Sequence, residues 1–356
     1  MTGIGRTLPV SILTGFLGAG KTSLLNRWAR QGDLARTAII INEFGEEGLD
    51  QLLLAEGSDE IVELAGGCIC CSVRGDLPET LIRLAERDID RIIVETSGLA
   101  DPSPIAQAIL AMQGGDHHFS LAGIITVVDA INGLSTLESQ QEAGLQVVLA
   151  DQILVTKTDL LEETSSELPD LLHSLDQLNA AAQTIILQGH APAGPILAFS
   201  GPEHEGRKDV VPGECRTCGS HHHECDHESE HHHLDNVRSI IIRHASPLPP
   251  ELVEMFCELL GSQYSSQLLR LKGLVNIAGS DRPMVFHGIR GYFHQPVFLD
   301  RWPDDDHDTR IVIITRDLDP AIAVELFSAF TNKIGIDRPD RDALLANPLA
   351  IPGHRA

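Results

Sequence analysis

The chain has 356 residues, of which 42% are hydrophobic and 4% aromatic, and its formal net charge is −25. This length exceeds what one hydrophobic core commonly supports, so we expect two domains joined by a connector. The negative charge argues against a nucleic-acid partner, because contact with phosphates needs clustered Lys and Arg. Residues 1–10 lack a long apolar stretch behind a basic start, and no later run is long enough to span a bilayer. We therefore expect a cytoplasmic protein without a signal peptide or a membrane partner.

Residues 1–200 alternate short β-branched runs with stretches of helical spacing. Runs of this kind, bounded by turn signals, are typical of strands buried on both faces of a sheet. The predicted strands are Val10–Thr14, Thr37–Ile41, Ile92–Glu95, Gly123–Val128 and Gln152–Thr156. Helical spacing is found at Ser23–Arg30 and at Leu77–Arg87. The alternation predicts βαβ units and an α/β domain with a mostly parallel sheet.

The segment Gly15–Thr22 lies between the first predicted strand and the first predicted helix, and it fits the P-loop pattern G-x-x-x-x-G-K-S/T. Glycines in such a loop let successive backbone N–H groups surround phosphate oxygens, and the helix N-terminus adds a positive dipole. We expect Lys21 to contact the β- and γ-phosphates and the Thr22 hydroxyl to bind Mg²⁺. The alternative is a glycine-rich turn that binds no ligand. The predicted nucleotide-binding residues of this loop are Gly15, Gly18, Gly20, Lys21, Thr22 and Ser23.

Two acids follow later strands. The strand at Ile92–Glu95 ends in a carboxylate, and Gly98 comes three residues later. P-loop proteins place at this position the carboxylate that faces Mg²⁺ and the glycine that senses the γ-phosphate. Glu43 lies in the loop after the strand at Thr37–Ile41, and the acids of that loop either reach a metal or form a solvated surface. The candidate catalytic residues are Lys21, Glu95 and Glu43.

The segment Thr156–Asp159 resembles the Asn-Lys-x-Asp motif that binds guanine in GTPases, with Thr156 in the Asn position. The Asp159 carboxylate can accept hydrogen bonds from N1–H and N2–H₂ of guanine, whereas adenine offers no such pair. A pocket built for paired donors rejects an analogue that lacks them by several kcal/mol. We therefore favour GTP over ATP, and a GTPase over a kinase or ATPase, with Thr156, Lys157 and Asp159 as base-binding residues. The alternative is an ordinary polar loop after a strand.

Three cysteines lie within four residues, at Cys68, Cys70 and Cys71. In an extended chain Cys68 and Cys70 would share one side, and Cys71 would need a turn to join them. Two or three thiolates with an open position suit Zn²⁺ or another soft divalent ion. A redox dithiol and a set of small buried apolar groups are the alternatives.

Composition changes in residues 201–236, which are rich in Gly, Pro, Glu, His and Cys and have few apolar residues after Val211. Such a segment cannot bury enough surface to fold alone, so we expect a flexible linker. Its imidazoles and thiols either collect metal ions loosely or belong to a solvated linker whose metal binding is incidental. The candidate auxiliary ligands are Cys215, Cys218, Cys225, His221, His222, His223, His227, His231, His232 and His233.

Regular patterns resume in residues 237–335, and residues 336–356 form a tail. The predicted strands are Arg238–Arg243, Leu271–Ala278, Met284–Phe293 and Arg310–Thr315, with helices at Pro250–Leu260 and Pro320–Phe330. A β-α-β-β-β-α order predicts a small α+β domain with its helices on one face of the sheet.

Together these motifs resemble the CobW-type GTPases, which are relatives of the HypB and UreG metallochaperones. The resemblance covers nearly the whole chain, including the His-rich linker and the smaller C-terminal domain. In that family the acidic strand end is Glu followed by two residues and Gly, and Thr occurs before the lysine of the base motif. The resemblance rests on Thr14–Thr22, Ile41–Asp50, Gly66–Cys71, Ile93–Pro102 and Thr156–Asp159.

The resemblance implies GTP hydrolysis coupled to delivery of zinc, cobalt or a related ion to a client metalloprotein. It implies that Lys21 and Thr22 hold phosphate and Mg²⁺, that Glu95 serves the magnesium site, and that the three clustered cysteines hold the transferred metal. We favour zinc because tetrahedral sulfur and nitrogen ligation suits it, with cobalt for cobalamin synthesis as the alternative. A metal buffer whose nucleotide site is mainly structural is a further alternative, and a homo-oligomer is compatible with each.

Overall fold

The computed structural model describes residues 7–42, 60–63, 69–112, 119–162, 166–187, 193–197, 236–294, 296–319 and 321–331. These residues form one parallel and one antiparallel β-sheet, with helices packed on both. None of the helices in these ranges is long and apolar enough to cross a membrane.

The parallel sheet lies in the N-terminal part of the chain. Its strands are β1 (Leu8–Thr14), β2 (Thr37–Asn42), β3 (Glu60–Glu63), β4 (Arg91–Thr96), β5 (Phe119–Asp129), β6 (Gln152–Thr156) and β7 (Gln183–Ile186). The accompanying helices are α1 (Lys21–Gln31), α2 (Ile69–Ala85), α3 (Ser103–Ala111), α4 (Gly133–Ser139), α5 (Gln141–Leu149), α6 (Glu167–Leu178) and α7 (Ala193–Leu197).

The strand order is β3-β2-β4-β1-β5-β6-β7, and every neighbouring pair is parallel. The carboxyl ends of these strands therefore lie at one edge of the sheet, with β1 in the centre. The strand order reverses at β1, which is where open α/β sheets bind their ligands. The predicted α/β fold with a parallel sheet is confirmed.

The central strands are buried on both faces by helices. Along β1, Ile12 packs with Ile105 of α3, and the next residue, Leu13, packs with Trp28 of α1 on the opposite face. These four side chains are almost fully excluded from water. Because both faces exclude water, the strand is a continuous apolar run instead of an alternating one.

Helix α2 begins at Ile69, well before the predicted start at Leu77. The residues Leu77, Leu81 and Leu84 are buried at helical spacing, and this spacing predicts only the second half of the helix. The extended arrangement considered for Cys70 does not occur, because Cys70 and Cys71 both lie in the first turn of α2. Strands β3 and β7 were not predicted; both are four-residue strands at the sheet edges.

The C-terminal part forms the antiparallel sheet. Its elements are β8 (Val237–His244), α8 (Pro250–Tyr264), β9 (Leu268–Val275), β10 (Met284–Ile289), β11 (Tyr292–Phe293), β12 (Val297–Phe298), β13 (Thr309–Arg316) and α9 (Ala321–Thr331). The strand order is β11-β10-β9-β13-β8, and β12 also pairs with β10. The predicted α+β domain is confirmed.

Two of the predicted C-terminal strands differ from the structure. The run Met284–Phe293 is not one strand, because the chain reverses at Arg290 and Gly291, whose φ angles are 47° and 77°. Positive φ at both central residues is the geometry of a tight hairpin turn, and an Arg-Gly pair inside an apolar run is a weak signal for it. Strand β9 begins at Leu268 instead of Leu271, because Leu268 pairs with Thr315 of β13.

The antiparallel sheet lies between two sets of helices. One face packs on α8 and α9, as Phe286 of β10 does with Phe256 and Phe327. The other face packs on the N-terminal part, where Ile289 joins the apolar cluster of Leu145 in α5. The helices on one face were predicted, whereas the covering of the second face by the parallel domain was not.

A buried ionic cluster lies at this domain interface. The side chain of Asp151, directly before β6, is 5% exposed and is contacted by Arg270 and by Lys272, whose Nζ lies 2.7 Å from Oδ1. Its second oxygen accepts a hydrogen bond of 2.7 Å from the backbone N–H of Ile124. Burial opposes ionisation of Asp151, but the two cations hold its pKa well below the ordinary value. Asp151 therefore stays charged and joins the two domains through its ion pairs with Arg270 and Lys272 of β9.

The histidines of the same interface make stability depend on pH. Desolvation, reinforced by Arg270, lowers the pKa of His294 to about 4 from 6.5, although Asp151 acts in the opposite direction. His287, whose ring lies 5.5 Å from that of His294, also has a pKa lowered mainly by desolvation. Between about pH 4 and pH 6.5, His294 binds a proton in the unfolded chain but not in the folded chain. The free energy of unfolding therefore falls as the pH falls.

The variant His294→Gln removes one of these histidines and is expected to weaken the pH dependence. Each such group contributes a slope of at most about 1.4 kcal/mol per pH unit. The measurement is urea unfolding of the metal-free chain at about pH 6.5 and about pH 4.5. His173→Gln, an exposed histidine of α6, is the matched control. An equal loss of stability in the variant and the wild type would contradict the assignment.

Candidate functional site

The P-loop connects β1 to α1 at the middle of the sheet edge. Gly15, Gly18 and Gly20 have φ angles of 143°, 76° and 97°, a region that residues with side chains rarely adopt. A Cβ atom on Gly15 would lie 2.3 Å from the carbonyl oxygen of Val127, so only glycine fits beside β5. These glycines therefore fix the path of the loop, and α1 begins directly after it at Lys21.

Lys21 lies along the loop that precedes it. Its Nζ donates a hydrogen bond of 2.8 Å to the carbonyl oxygen of Gly15 and one of 3.5 Å to that of Phe16. The ammonium group thus lies within the loop, where a nucleotide's phosphates would compete with carbonyl oxygens for it. Charged acceptors form stronger hydrogen bonds than neutral ones, so phosphates would win this competition.

Thr22 and Glu95 meet at the floor of the same site. The Thr22 hydroxyl donates a hydrogen bond of 3.1 Å to Oε1 of Glu95, which lies at the end of β4 and is 5% exposed. A hydroxyl and a carboxylate oxygen are the hard ligands that Mg²⁺ prefers. This pair therefore fits a magnesium ion held beside the phosphates.

The P-loop and the end of β4 enclose a cavity of about 250 Å³. Gly98 closes one wall, since a Cβ atom on it would lie 2.6 Å from the backbone nitrogen of Leu17. The structure thus brings together most of the predicted phosphate-site residues. The lining consists of Leu17, Gly18, Gly20, Lys21, Thr22, Ser23, Ile41, Glu95, Thr96, Ser97 and Gly98.

The predicted base-binding segment is tied to the P-loop by two side chains. The Thr156 hydroxyl donates to the carbonyl oxygens of Ala19, at 2.8 Å, and Val128, at 3.2 Å. Lys157 Nζ donates to the carbonyl oxygen of Gly18 at 2.8 Å. Thr156 thus anchors the P-loop by its hydroxyl. Asp159 follows on a short 3₁₀ turn, Thr158–Leu160, and is exposed to solvent.

Asp129 is a site residue that sequence reasoning missed. It ends β5, one residue beyond the predicted strand, and its carboxylate forms an ion pair with Lys157. Burial opposes its ionisation, but hydrogen bonds from Lys157 and from the backbone N–H of Ile131 hold its pKa below the ordinary value. Asp129 therefore orients Lys157, whose backbone has a positive φ of 59°. An acid at a strand end was the available signal.

Gln146 is a second missed residue. It is fully buried in α5, and its Nε2 donates to the carbonyl oxygens of Gly98 and Ala100 at 3.1 and 3.0 Å. It therefore holds the loop that follows Glu95. A single polar residue in the apolar run of α5 was the signal, but its partners could not be inferred without the fold.

Several predicted site residues lie outside the described residues. These are Glu43 and Cys68, and the side chains of Cys70 and Cys71 likewise fall outside the description. The described cysteine, Cys257, is buried in the C-terminal core, and desolvation raises the pKa of its thiol to about 12. A thiol that stays protonated is a poor metal ligand, so Cys257 has no part in the predicted metal site.

The auxiliary ligands predicted in the linker also lie outside the described residues. They are Cys215, Cys218, Cys225, His221, His222, His223, His227, His231, His232 and His233. Among the residues whose placement is described, no group of three His, Cys, Asp or Glu side chains is arranged to hold a metal ion. The predicted metal site therefore depends on residues beyond those described.

Comparison with known families gives two matches. Residues 9–186 match the family model described as CobW/HypB/UreG, nucleotide-binding domain. Residues 237–331 match the family model described as cobalamin synthesis protein cobW C-terminal domain. The two matches correspond to the parallel and the antiparallel sheet.

Individual proteins match along most of their length. The zinc chaperone YjiA of Escherichia coli (strain K12) is 30% identical over 315 residues, which cover 86% of this chain and 93% of that protein. The zinc chaperone CobW of Sinorhizobium sp is 30% identical over 354 residues, covering 88% and 94%. A crystal structure of Zn(II)-bound YjiA GTPase from E. coli aligns with a TM-score of 0.60 at 24% identity, over 91% of this chain and 99% of that one. This alignment shows a shared fold.

The tie between Thr156 and Ala19 predicts a loss of nucleotide affinity in Thr156→Val. Valine keeps the shape but removes the donor, which leaves a buried carbonyl oxygen without its hydrogen bond. We expect the affinities for GDP and for a GTP analogue to fall alike, by about tenfold. Isothermal calorimetry in the presence of Mg²⁺ measures both.

Thr158→Val is the matched control, because Thr158 donates to the carbonyl oxygen of Leu187 and not to the P-loop. This variant is expected to bind both nucleotides like the wild type. If Thr156→Val also bound like the wild type, the hydroxyl would have no part in holding the site.

Proposed function

Because the chain belongs to the CobW family of GTPases, we propose that it hydrolyses GTP to drive delivery of a transition metal, namely zinc, to a client protein. At the coarser level the chain is a GTP-binding hydrolase of a metallochaperone family. One observation carries the GTP-hydrolysing part of the proposal: Lys21, Thr22 and Glu95 converge in a cavity whose loop is hydrogen-bonded to Thr156 and Lys157. This arrangement supports recognition of phosphate, magnesium and guanine at one edge of the sheet.

The hydrolytic roles follow from the contacts of each side chain. Lys21 exchanges its carbonyl partners for the β- and γ-phosphates of GTP. Thr22 and Glu95 would hold Mg²⁺, which when bound would neutralise charge on the phosphate oxygens. The backbone of Gly98 faces the γ-phosphate, and Asp159 binds the guanine edge. Glu43, which follows β2 in the sequence, completes the proposed catalytic set.

The transferred metal binds the thiolates of Cys68, Cys70 and Cys71 in this proposal. The chain links this site to the nucleotide, because β3 precedes the cysteines, β3 pairs with β2, and β2 pairs with β4, which carries Glu95. Zinc is favoured by thiolate ligation and by the relatives, several of which are named zinc chaperones. The histidines and cysteines of residues 201–236 serve as an auxiliary collector of metal.

The recipient is a client metalloprotein in the cytoplasm, which we propose docks on the C-terminal domain. The chain acts alone or as a homo-oligomer. Cobalt delivery for cobalamin synthesis is the second candidate, favoured by the description of the matched C-terminal family. Metal analysis of the chain purified from its native cells decides between the two metals.

Coupling between the nucleotide and the metal site predicts that GTP and zinc change each other's affinity. A tenfold change requires only about 1.4 kcal/mol of differential binding. Because such coupling is reciprocal, zinc should alter the affinity for a GTP analogue by the same factor. Calorimetric titration of the analogue, with and without bound zinc, measures this factor.

The variant Cys68→Ser with Cys70→Ser and Cys71→Ser should abolish the effect of zinc on the affinity for the GTP analogue. Cys257→Ala is the matched control, because its buried thiol lies in the core of the C-terminal domain. Identical dissociation constants with and without zinc in the wild type would overturn the proposed coupling.

Turnover separates a metal chaperone from a metal buffer. Lys21→Ala removes the cation that contacts the phosphates, so we expect hydrolysis to fall by about a hundredfold or more. Zinc transfer from the loaded protein to a fluorescent chelator, followed with GTP present, should slow in parallel. Arg30→Ala, an exposed residue of α1, is the control. Transfer that is unaffected in Lys21→Ala would favour the buffer.

A further inference from the structure

A hairpin of the C-terminal sheet contacts the loop that follows β4. Arg290, at the tip of the β10–β11 hairpin, donates from Nη2 to Oδ2 of Asp101 and from Nε to the Ser103 hydroxyl oxygen, each at 3.0 Å. Asp101 comes three residues after Gly98, and Ser103 is the first residue of α3. The guanidinium group thus bridges the two domains beside the nucleotide site.

The contacted loop, Ser97–Asp101, is held as one unit. Oδ1 of Asp101 accepts a hydrogen bond of 2.8 Å from the backbone N–H of Ser103. The backbone N–H of Ala100 donates to the carbonyl oxygen of Ser97 at 3.1 Å, and Gln146 binds the carbonyl oxygens of Gly98 and Ala100. A displacement of Asp101 would therefore be transmitted to Gly98, which lies against the P-loop at Leu17.

The position of Arg290 is itself fixed by the hairpin. Its backbone N–H donates to the carbonyl oxygen of Leu269 at 3.3 Å, and Ile289 before it is fully buried in the interface. The turn geometry of Arg290 and Gly291 directs the chain back along β10. The guanidinium therefore projects from a packed element and acts on the loop as a fixed support.

We propose that Arg290 is a positioning residue for γ-phosphate recognition. Through Asp101 and Ser103 it holds the Ser97–Asp101 loop against the P-loop, in the position where Gly98 meets the third phosphate of GTP. The C-terminal domain thereby contributes to the distinction between GTP and GDP, since GDP has no phosphate at that position. The proposal rests on the GTP-dependent function proposed above and names a residue through which the second domain acts on it.

The expected effect is moderate because the ion pair is only partly shielded from water. The side chains of Arg290 and Asp101 are 26% and 35% exposed. Charge-assisted hydrogen bonds at such a site are weakened by solvent but retain some strength. We therefore expect loss of the pair to lower the affinity for a GTP analogue by about fivefold and to leave the affinity for GDP within about twofold.

The experiment compares the affinities of the full-length chain for GDP and for a non-hydrolysable GTP analogue, by calorimetry with Mg²⁺. The variants are Arg290→Ala and Asp101→Asn; the latter keeps an oxygen acceptor for the Ser103 N–H while it removes the charge. Each should lower the preference for the GTP analogue by a similar factor, and the double variant should lower it no further. Arg290→Lys keeps the charge but has a single donor group. Its preference for the GTP analogue should lie between those of Arg290→Ala and the wild type.

Arg282→Ala is the matched control, because Arg282 pairs with Asp300 and with the carbonyl oxygens of Phe298 and Leu299, all within the C-terminal domain. It should leave the GTP preference unchanged. The positioning role would be overturned if Arg290→Ala preferred the GTP analogue over GDP as strongly as the wild type does. It would also be overturned if the affinities for both nucleotides fell by the same factor. A wild-type chain that binds no guanine nucleotide would instead overturn the proposed function itself.

Discussion

The nucleotide site is held together by hydrogen bonds to the backbone carbonyl oxygens of the P-loop. Those of Gly15, Gly18 and Ala19 each accept a hydrogen bond from a lysine or threonine side chain. Carbonyl oxygens repel an anion, so the donors from Thr156 and Lys157 prepare the loop for phosphate, whereas Lys21 would leave the Gly15 oxygen to bind the phosphates. Two of these donors, Thr156 and Lys157, come from the base-binding segment. Phosphate and base recognition are therefore fixed to each other by one short loop.

The second constraint is the buried carboxylate between the two domains. Asp151 lies between Arg270 and Lys272, and an isolated charge in that position would be costly. Because these partners come from β9, separating the domains would break both ion pairs. Apolar contacts of Leu269, Ile289 and Ile314 complete the junction. The antiparallel sheet is thus packed firmly against the parallel domain and is not a loosely attached module.

The sequence predicts the parallel domain well but predicts the interface between the two domains poorly. The P-loop and the strand ending at Glu95 are local patterns, in which a few consecutive residues determine both geometry and chemistry. Gln146 and Arg290 act across the fold, through partners that are distant in sequence and chosen by packing. An acid such as Asp101 looks like any loop residue until its partner is known. The early start of α2 was missed because the apolar spacing that predicts a helix, at Leu77, Leu81 and Leu84, lies in its second half.

Helices α3 and α5 connect the nucleotide site with the interface between the two domains. Helix α5 carries Gln146, which holds the loop after Glu95, and also Leu145, which packs against the antiparallel sheet. Helix α3 begins at Ser103, a contact of Arg290, and runs on into the same apolar cluster through Ile105. The helices that cover one face of the parallel sheet are therefore also the support of the C-terminal domain. A shift of the loop at Gly98 has to be accommodated at this shared layer, because packed helices move as units and do not deform continuously.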